Sequence, residues 1–315
     1  MPELSVVIPT YRRRDALPRT LEALERQTAG ADRFEVIVVD DPVDDDSAAV
    51  AALLESERRP FRLRQLHREG RGVSAARNAG WRAAEAGLVM FIGDDILLRP
   101  DAVEQHLRWH ERHPDVEDGV LGRVEWAEEL NVTPFMRWLE HGIQFDYLSL
   151  AGDEAPWTHF YTANISLKRV MLDRVDGFDE QRFPFLYEDL DLGRRLAGEG
   201  FRLLYNRAAV GEHLHPTGVD EWRRRMAATA PAERRWVDAY PDMPAWFHDL
   251  FDAAARRRRV PAPLGRAAAR VPSRTPVIGP RAGAVADLHF RQELAPAFLD
   301  AWRADAHGRD RAPAA

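Results

Sequence analysis

The chain contains no cysteine. Disulfides, zinc–thiolate sites and thiol nucleophiles are therefore excluded, while the compartment stays open. Lysine is nearly absent too: Lys168 is the only one among 44 basic residues. No lysine near the N-terminus can serve a Walker-type phosphate loop. No run is long and apolar enough to span a bilayer. Leu4-Ser5-Val6-Val7-Ile8 is too short and wrongly flanked for a signal peptide, so a cytoplasmic location is expected. A net charge of -7 speaks against nucleic-acid binding by the molecule as a whole. What is present is 45% hydrophobic residues over 315 positions. That supports a sizeable core, either one large α/β domain with an extension or two domains.

The first part of the chain alternates strand and helix signals. Strands are expected at Leu4–Ile8, Phe34–Val39, Phe61–Leu66 and Leu88–Ile92. Between them, helices are expected over Asp15–Gln27, Ser47–Glu57, Ser74–Ala86 (with Ser74 as its cap) and Asp101–His113. Apolar strands alternating with helices predict a mainly parallel sheet covered on both faces. From about residue 120 the pattern is mixed. Strands are expected at Val120–Trp126, Phe160–Leu167 and Phe201–Tyr205, and a helix over Glu188–Gly200. Beyond residue 220 the chain is rich in Arg and Ala at helical spacing. A Pro-rich linker is expected over 260–280, and a last helix over Phe290–Trp302.

In open parallel sheets, ligands bind beyond the carboxyl ends of the strands. Three of these four strand ends are polar in a specific way: Pro9-Thr10-Tyr11-Arg12, Asp40-Asp41 and Gly93-Asp94-Asp95. Tyr11 can stack on a base, and a carboxylate can accept from an imide N–H. Asp at a strand end also caps a following helix, but three in order favour a nucleotide site. Asp94-Asp95 suits a divalent cation shared with substrate phosphates. Gly70 to Asn78, a glycine-rich helix start with arginines, suits a diphosphate. Glu188-Asp189 opens a helix, where acids are favoured by the dipole and can also serve as a general base. His213 and His215 stand two apart, on one face if in a strand, and either can complete a metal site.

The ordered set resembles family 2 glycosyltransferases of the GT-A fold. It runs through Val6 to Tyr11, Val38 to Asp41, Gly72 to Gly80, Phe91 to Asp95, Thr162 to Asn164, Gly177 to Glu180 and Glu188-Asp189, and covers about residues 1–220. The resemblance implies a Rossmann-like catalytic domain over 1–220 and a helical, Arg/Pro-rich extension over 221–315. It implies an inverting transfer from a nucleotide diphosphate-sugar, with a UDP-sugar as the first expectation, aided by Mn²⁺ or Mg²⁺. By position, Pro9, Thr10, Tyr11, Asp40 and Asp41 would hold the base, and Arg77 the base or diphosphate. Asp94 and Asp95 occupy the acidic motif, Asp95 as metal ligand with His213 or His215. Asp189 would be the catalytic base with Glu188 beside it, and Asn164 would shape the sugar and acceptor pocket.

Two positions depart from the family pattern: Gly93 stands where many members have the first Asp, and Pro42-Val43 replaces the usual Gly-Ser. The Q-x-x-R-W motif of processive members is absent, so non-processive transfer is expected. The acceptor is a glycan, a lipid-linked molecule or a small molecule, in polysaccharide or glycoconjugate biosynthesis. The alternatives are a catalytically impaired nucleotide-sugar-binding module, a sugar-nucleotide pyrophosphorylase, which would want a basic glycine-rich N-terminal loop, and a phospho-receiver, for which Lys168 is badly placed. Arg256 to Arg259 is either a solvated helix end or a contact with anionic lipid or a lipid diphosphate at the inner face of the membrane.

Overall fold

A computed structural model describes residues 1–11, 15–40, 54, 59–67, 72–272 and 274–310. The expected helix over Ser47–Glu57, along with Arg12 and Asp41, lies outside them apart from residue 54. The chain divides into two compact units. The first is Met1–Leu130 with Asp146–His215; the second is Asn131–Phe145 with Pro216–Ala315. Residues 131–145 thus belong with the later helices, although sequence order places them in the first domain.

The first unit is α/β. Its strands are β1 (Leu4–Thr10), β2 (Phe34–Asp40), β3 (Arg62–His67), β4 (Leu88–Ile92), β5 (Ile96–Leu98), β6 (Asp118–Trp126), β7 (Glu154–Ala155), β8 (Asn164–Lys168) and β9 (Arg202–His213). Its helices are α1 (Leu17–Glu25), α2 (Gly72–Ala83), α3 (Ala102–Arg112), α5 (Arg169–Val175) and α6 (Glu188–Gly198); α4 belongs to the second unit. The described strands form one sheet in the order β3-β2-β1-β4-β8-β6-β9-β5, with β7 on β9. β1, β2, β3 and β4 are parallel neighbours. β8 runs against β4 and β6, and β9 runs parallel to β6. The carboxyl ends of β1, β2, β3, β4, β6 and β9 therefore share one edge, which makes the sheet mainly parallel.

The central strands read as continuous apolar runs because both faces are covered: Leu4, Val6–Ile8, Phe34, Val36–Val39 and Val89–Ile92 are all buried. Pro9 is tolerated in β1 because it lies beyond the last β1–β4 pair, Val7 with Phe91. β3, with Arg62, Arg64, Gln65 and His67, is the more polar edge.

Three local expectations are corrected. α2 starts at Gly72, so Ser74 lies inside its first turn; its hydroxyl donates to Phe183 O rather than capping the helix. β8 starts only at Asn164, since residues 162–163 form a turn. β9 runs on to His213, eight residues past the expected end at Tyr205.

Gly177 is a fixed point of the first unit. Its φ is +65°, and a Cβ there would lie 2.4 Å from Asn78 Oδ1. Asn78 latches this turn to α2: Nδ2 donates to Phe178 O and Glu180 Oε1, and Oδ1 accepts from Phe178 N–H. Gly177→Ala combines left-handed strain with overpacking. It is expected to cost about 2–4 kcal/mol of stability, read as a lowered midpoint in urea unfolding with an unchanged slope.

The second unit is helical: α4 (Pro134–Leu139), α7 (Val219–Ala239), α8 (Trp246–Ala255), α9 (Ala262–Ala268) and α10 (Ile278–Asp310). Phe135, Trp138, Trp222 and Phe290 pack ring against ring, as do Phe247, Phe251 and Phe298. Buried Glu233 on α7 caps the start of α8 by accepting from Phe247 N–H (2.6 Å) and His248 N–H (2.8 Å). The expected 260–280 linker contains α9, because its prolines sit where a helix opens rather than inside one. The last helix begins at Ile278, twelve residues ahead of Phe290.

Candidate active site

The common edge of β1, β2, β4 and β9 gathers most of the polar residues singled out in the sequence. Thr10, at the end of β1, donates from Oγ1 to Asp94 Oδ2 at 2.8 Å. Thr20 on α1 donates to the backbone carbonyl of Asp94 at 2.8 Å. The first acid is thus held by its carboxylate and its main chain. Asp95 is pinned through its carbonyl, which accepts from Leu214 N–H at 2.8 Å. Asp94 and Asp95 are both buried. A Cβ at Gly93 would stand 2.9 Å from Asp95 Oδ1. Glycine at this departure from the family pattern is therefore what leaves Asp95 its place.

β5 pairs Ile96 with His213, and β6 pairs Trp126 with His213. That register brings His213 Nε2 to 3.3 Å from Asp95 Oδ2. His213 stacks on Trp126 at 5.3 Å and on His215 at 5.7 Å between ring centres. His215 lies past the end of β9, so the two imidazoles are stacked rather than alternate members of one strand. A carboxylate oxygen beside an imidazole nitrogen is a donor set that Mn²⁺ or Mg²⁺ accepts. Among the described residues no three His, Asp or Glu gather at one point. Asp95 and His213 are the pair of candidate ligands that the register brings together.

A second cluster forms where α2 meets α6. Arg77 Nη1 donates to Glu188 Oε1 at 2.9 Å and to Asp189 Oδ1 at 3.4 Å, and its guanidinium lies over the Phe178 ring. Asp189 accepts from Thr162 N–H at 3.0 Å and from Thr162 Oγ1 at 2.9 Å. Leu186 and Tyr187, just before these acids, both have positive φ, 63° and 67°. Such backbone strain in non-glycine residues gathers at functional sites. Asp189 keeps 26% of its side-chain surface open, against 11% for Glu188. The helix dipole alone would keep Asp189 ionised. Instead its pKa is raised to about 6: burial dominates, Arg77 opposes it and Glu188 adds to it. The phenols of buried Tyr147 and half-buried Tyr161 stand near enough to feel the Asp189 charge.

The remaining expectations divide. Asp40 is buried at the end of β2, with its Oδ2 3.8 Å from His67 Nδ1, a neighbour the sequence did not indicate. Tyr11 is 47% exposed just beyond β1, and Pro9 is at the same edge. Asp41 lies outside the described residues. Asn164 needs correction as a pocket residue. It is fully buried, donates to Arg123 O and Ala209 O, and meets His106 Nε2 at 3.0 Å, so it ties strands to α3 and has no surface for a ligand. Its neighbour Thr162 is the member of that motif that reaches the site. The start of α2, read as a diphosphate cradle, has part of its first turn occupied by protein carbonyls. Ser74 N–H donates to Pro184 O and Ser74 Oγ to Phe183 O.

An α/β sheet with acids at its strand ends and an acid pair opening a later helix defines a class. A family model described as Glycosyl transferase family 2 matches residues 5–173, and the chain belongs to that family. It is 32% identical over 256 residues to validoxylamine A glucosyltransferase of Streptomyces hygroscopicus subsp. jinggangensis, covering 70% of this chain and 58% of that one. The enzyme of the same name from subsp. limoneus matches at 32%, with 54% of its length covered. The chain thus spans a little over half the length of these relatives. Among solved structures, the fold is similar to the mannosyltransferase PcManGT from Pyrobaculum calidifontis in complex with GDP-Man and Mn²⁺. That match has a TM-score of 0.56 and 18% identity, covering 100% of this chain and 76% of that one. It is also similar to S. aureus TarS 1-349 in complex with UDP-GlcNAc, at 0.53 and 16%, covering 98% and 92%. At these identities the likeness shows the fold.

Proposed function

We propose that the first unit transfers a sugar from a nucleoside diphosphate-sugar to an acceptor hydroxyl, with inversion at the anomeric carbon and one sugar per encounter. The observation that carries the reading is Asp189. It is a carboxylate locked by Thr162 and Arg77, partly open, and raised toward neutrality. A base near the working pH can take a proton without being permanently protonated or permanently inert. The acceptor O–H gives its proton to Asp189 as its oxygen bonds to the anomeric carbon. The bond from that carbon to the diphosphate oxygen breaks, and the nucleoside diphosphate leaves. A single displacement of this kind inverts the centre.

Thr10, Tyr11 and Asp40 are assigned to the base, with Asp41 as a further candidate, and Asp94 to the donor. Arg77 is assigned first to positioning Glu188 and Asp189. Asp95 with His213 would hold Mn²⁺ or Mg²⁺, which supplies positive charge against the leaving diphosphate. Relatives and neighbours named for glucosyl transfer, GDP-Man and UDP-GlcNAc support a nucleotide-sugar donor. No helix of the described residues is long and apolar enough to cross a membrane; a cytoplasmic location remains part of the proposal.

Thermal denaturation tests the donor reading, because a ligand that binds only the folded state must stabilise it. UDP or GDP at a hundredfold excess over Kd is expected to add about 2.7 kcal/mol and to raise Tm by several degrees, more with Mn²⁺ than without. No shift from any nucleoside diphosphate, with or without the metal, would reject the donor site.

A further inference from the structure

We propose that the second unit carries a docking surface for anionic lipid bilayers, formed by residues 256–272 and 274–281. The inference stands on this unit alone and does not depend on the donor chemistry.

Between Asp252 and Asp287 the sequence has eight arginines and no acid, in a chain whose net charge is -7. All eight are exposed: Arg256, Arg257, Arg258, Arg259, Arg266, Arg270, Arg274 and Arg281. Arg256 pairs with Asp252, and Arg259 lies 3.7 Å from Glu293. The other six make no ion pair with any described residue. A solvated surface segment usually carries charges of both signs; every charge within this stretch of sequence is positive.

The segment is fastened on a packed base. Gln292 donates to the carbonyls of Ala254, Arg257 and Arg258 and accepts from Val260 N–H, which fixes the turn that holds the four consecutive arginines. Ala268, Ala282 and Ala286 bury against one another, with Val271 and Val285 packed on them. The arginines also converge. A groove of about 380 Å³ is lined by Arg223, Arg266, Arg270 and His289, with Glu293 and Asp220 as its acids. Arg223 already pairs with both of those acids. Arg259 and Arg266 lie close enough to act on His289. His289, 4% exposed and packed against the Phe290 ring, forms part of the wall of this basic groove.

Apolar side chains select a membrane over a nucleic acid. Leu264, Val277 and Ile278 are 54%, 71% and 60% exposed among the arginines. Phosphate contact alone would leave them in water. A bilayer takes the cations at its headgroups and the apolar side chains below them.

Co-sedimentation of the full chain with vesicles tests this. Binding is expected to phosphatidylcholine vesicles that contain phosphatidylglycerol, with at least about tenfold less to phosphatidylcholine alone, and to weaken as salt rises. Charge reversal at Arg257→Glu, Arg258→Glu, Arg266→Glu and Arg270→Glu together should lower binding at least about tenfold. Leu264→Ser with Ile278→Ser should weaken it while the melting curve stays as in the parent. Equal binding to neutral vesicles, undiminished binding of the charge-reversed chain, or tighter binding to duplex DNA or RNA than to anionic vesicles would overturn the proposal. So would calorimetric binding of pyrophosphate without any partition onto vesicles.

Discussion

Asp189→Asn is expected to lower transfer by roughly two to four orders of magnitude, the range of a lost general base, while donor binding and folding persist. The amide keeps the shape and can still accept from Thr162, and Arg77 keeps Glu188 as its partner at 2.9 Å. What is removed is the basicity together with the negative charge that the longer 3.4 Å contact from Arg77 meets. The pH dependence separates this role from a structural one. With the carboxyl raised to about 6, the working form is the ionised one. The rate should therefore fall about tenfold per unit as pH drops below 6, and that acid limb should vanish in the variant. The sign for stability is opposite. Because the folded pKa exceeds the ordinary value of 3.8, this group favours folding at low pH, and that contribution is lost as pH rises through 6. Asp189→Asn should consequently not lower Tm at neutral pH. Near-normal turnover, a retained acid limb near 6, or a product with retained anomeric configuration would remove Asp189 from the chemistry. Weakened donor binding with turnover intact would place it in the binding set.

How much of this was legible in the sequence depends on what each residue needed. Asp94, Asp95, Glu188 and Asp189 follow from local signals, an apolar strand ending in acids and a helix opening with them. Those signals survive because strand ends and helix starts are set by nearby residues. His213 was legible as a candidate, but its approach to Asp95 depends on register across β5, β6 and β9, with an irregularity between Gly122 and Arg123. No local pattern encodes such a register. Asn164 was placed in the pocket by the family resemblance alone, and a match by position does not say which way a side chain points. In the fold, Asn164 and Ser166 meet His106 and His110 of α3 in a buried polar network. Both histidines have lowered pKa values, about 4 and about 2, chiefly from burial. Hydrophobic periodicity carries no trace of such a network. The rise of Asp189 was missed for a related reason. The helix dipole is local and visible in sequence, whereas burial is tertiary, and here burial is the larger effect. The second unit hides in the same way, since residues 131–145 join helices that begin more than seventy residues later.

The other large effect concerns the metal. Asp95 Oδ2 and His213 Nε2 stand 3.3 Å apart, held by the Leu214 N–H bond to Asp95 O and by Trp126 stacked on the imidazole. Two protein donors make a site that depends on both, so each should matter. A divalent ion at a leaving diphosphate is worth several kcal/mol of charge stabilisation; at 1.36 kcal/mol per tenfold, that is about two to three orders of magnitude. Excess EDTA is therefore expected to lower transfer by about that factor, with recovery on adding Mn²⁺ or Mg²⁺. His213→Ala should raise the Mn²⁺ concentration for half-maximal rate at least about tenfold, since even outer partners of a metal are worth 10–100-fold. Loss of metal dependence cannot be confused with loss of the base, because the Asp189 variant should keep its metal-dependent rise in Tm with nucleotide. His215→Ala, which removes a stacking neighbour of His213, should have the smaller effect. If His215→Ala raises the metal requirement and His213→Ala does not, the ligand is His215. Undiminished transfer in EDTA would mean that Arg77 or other cationic groups alone stabilise the leaving diphosphate, and the metal assignment would fall.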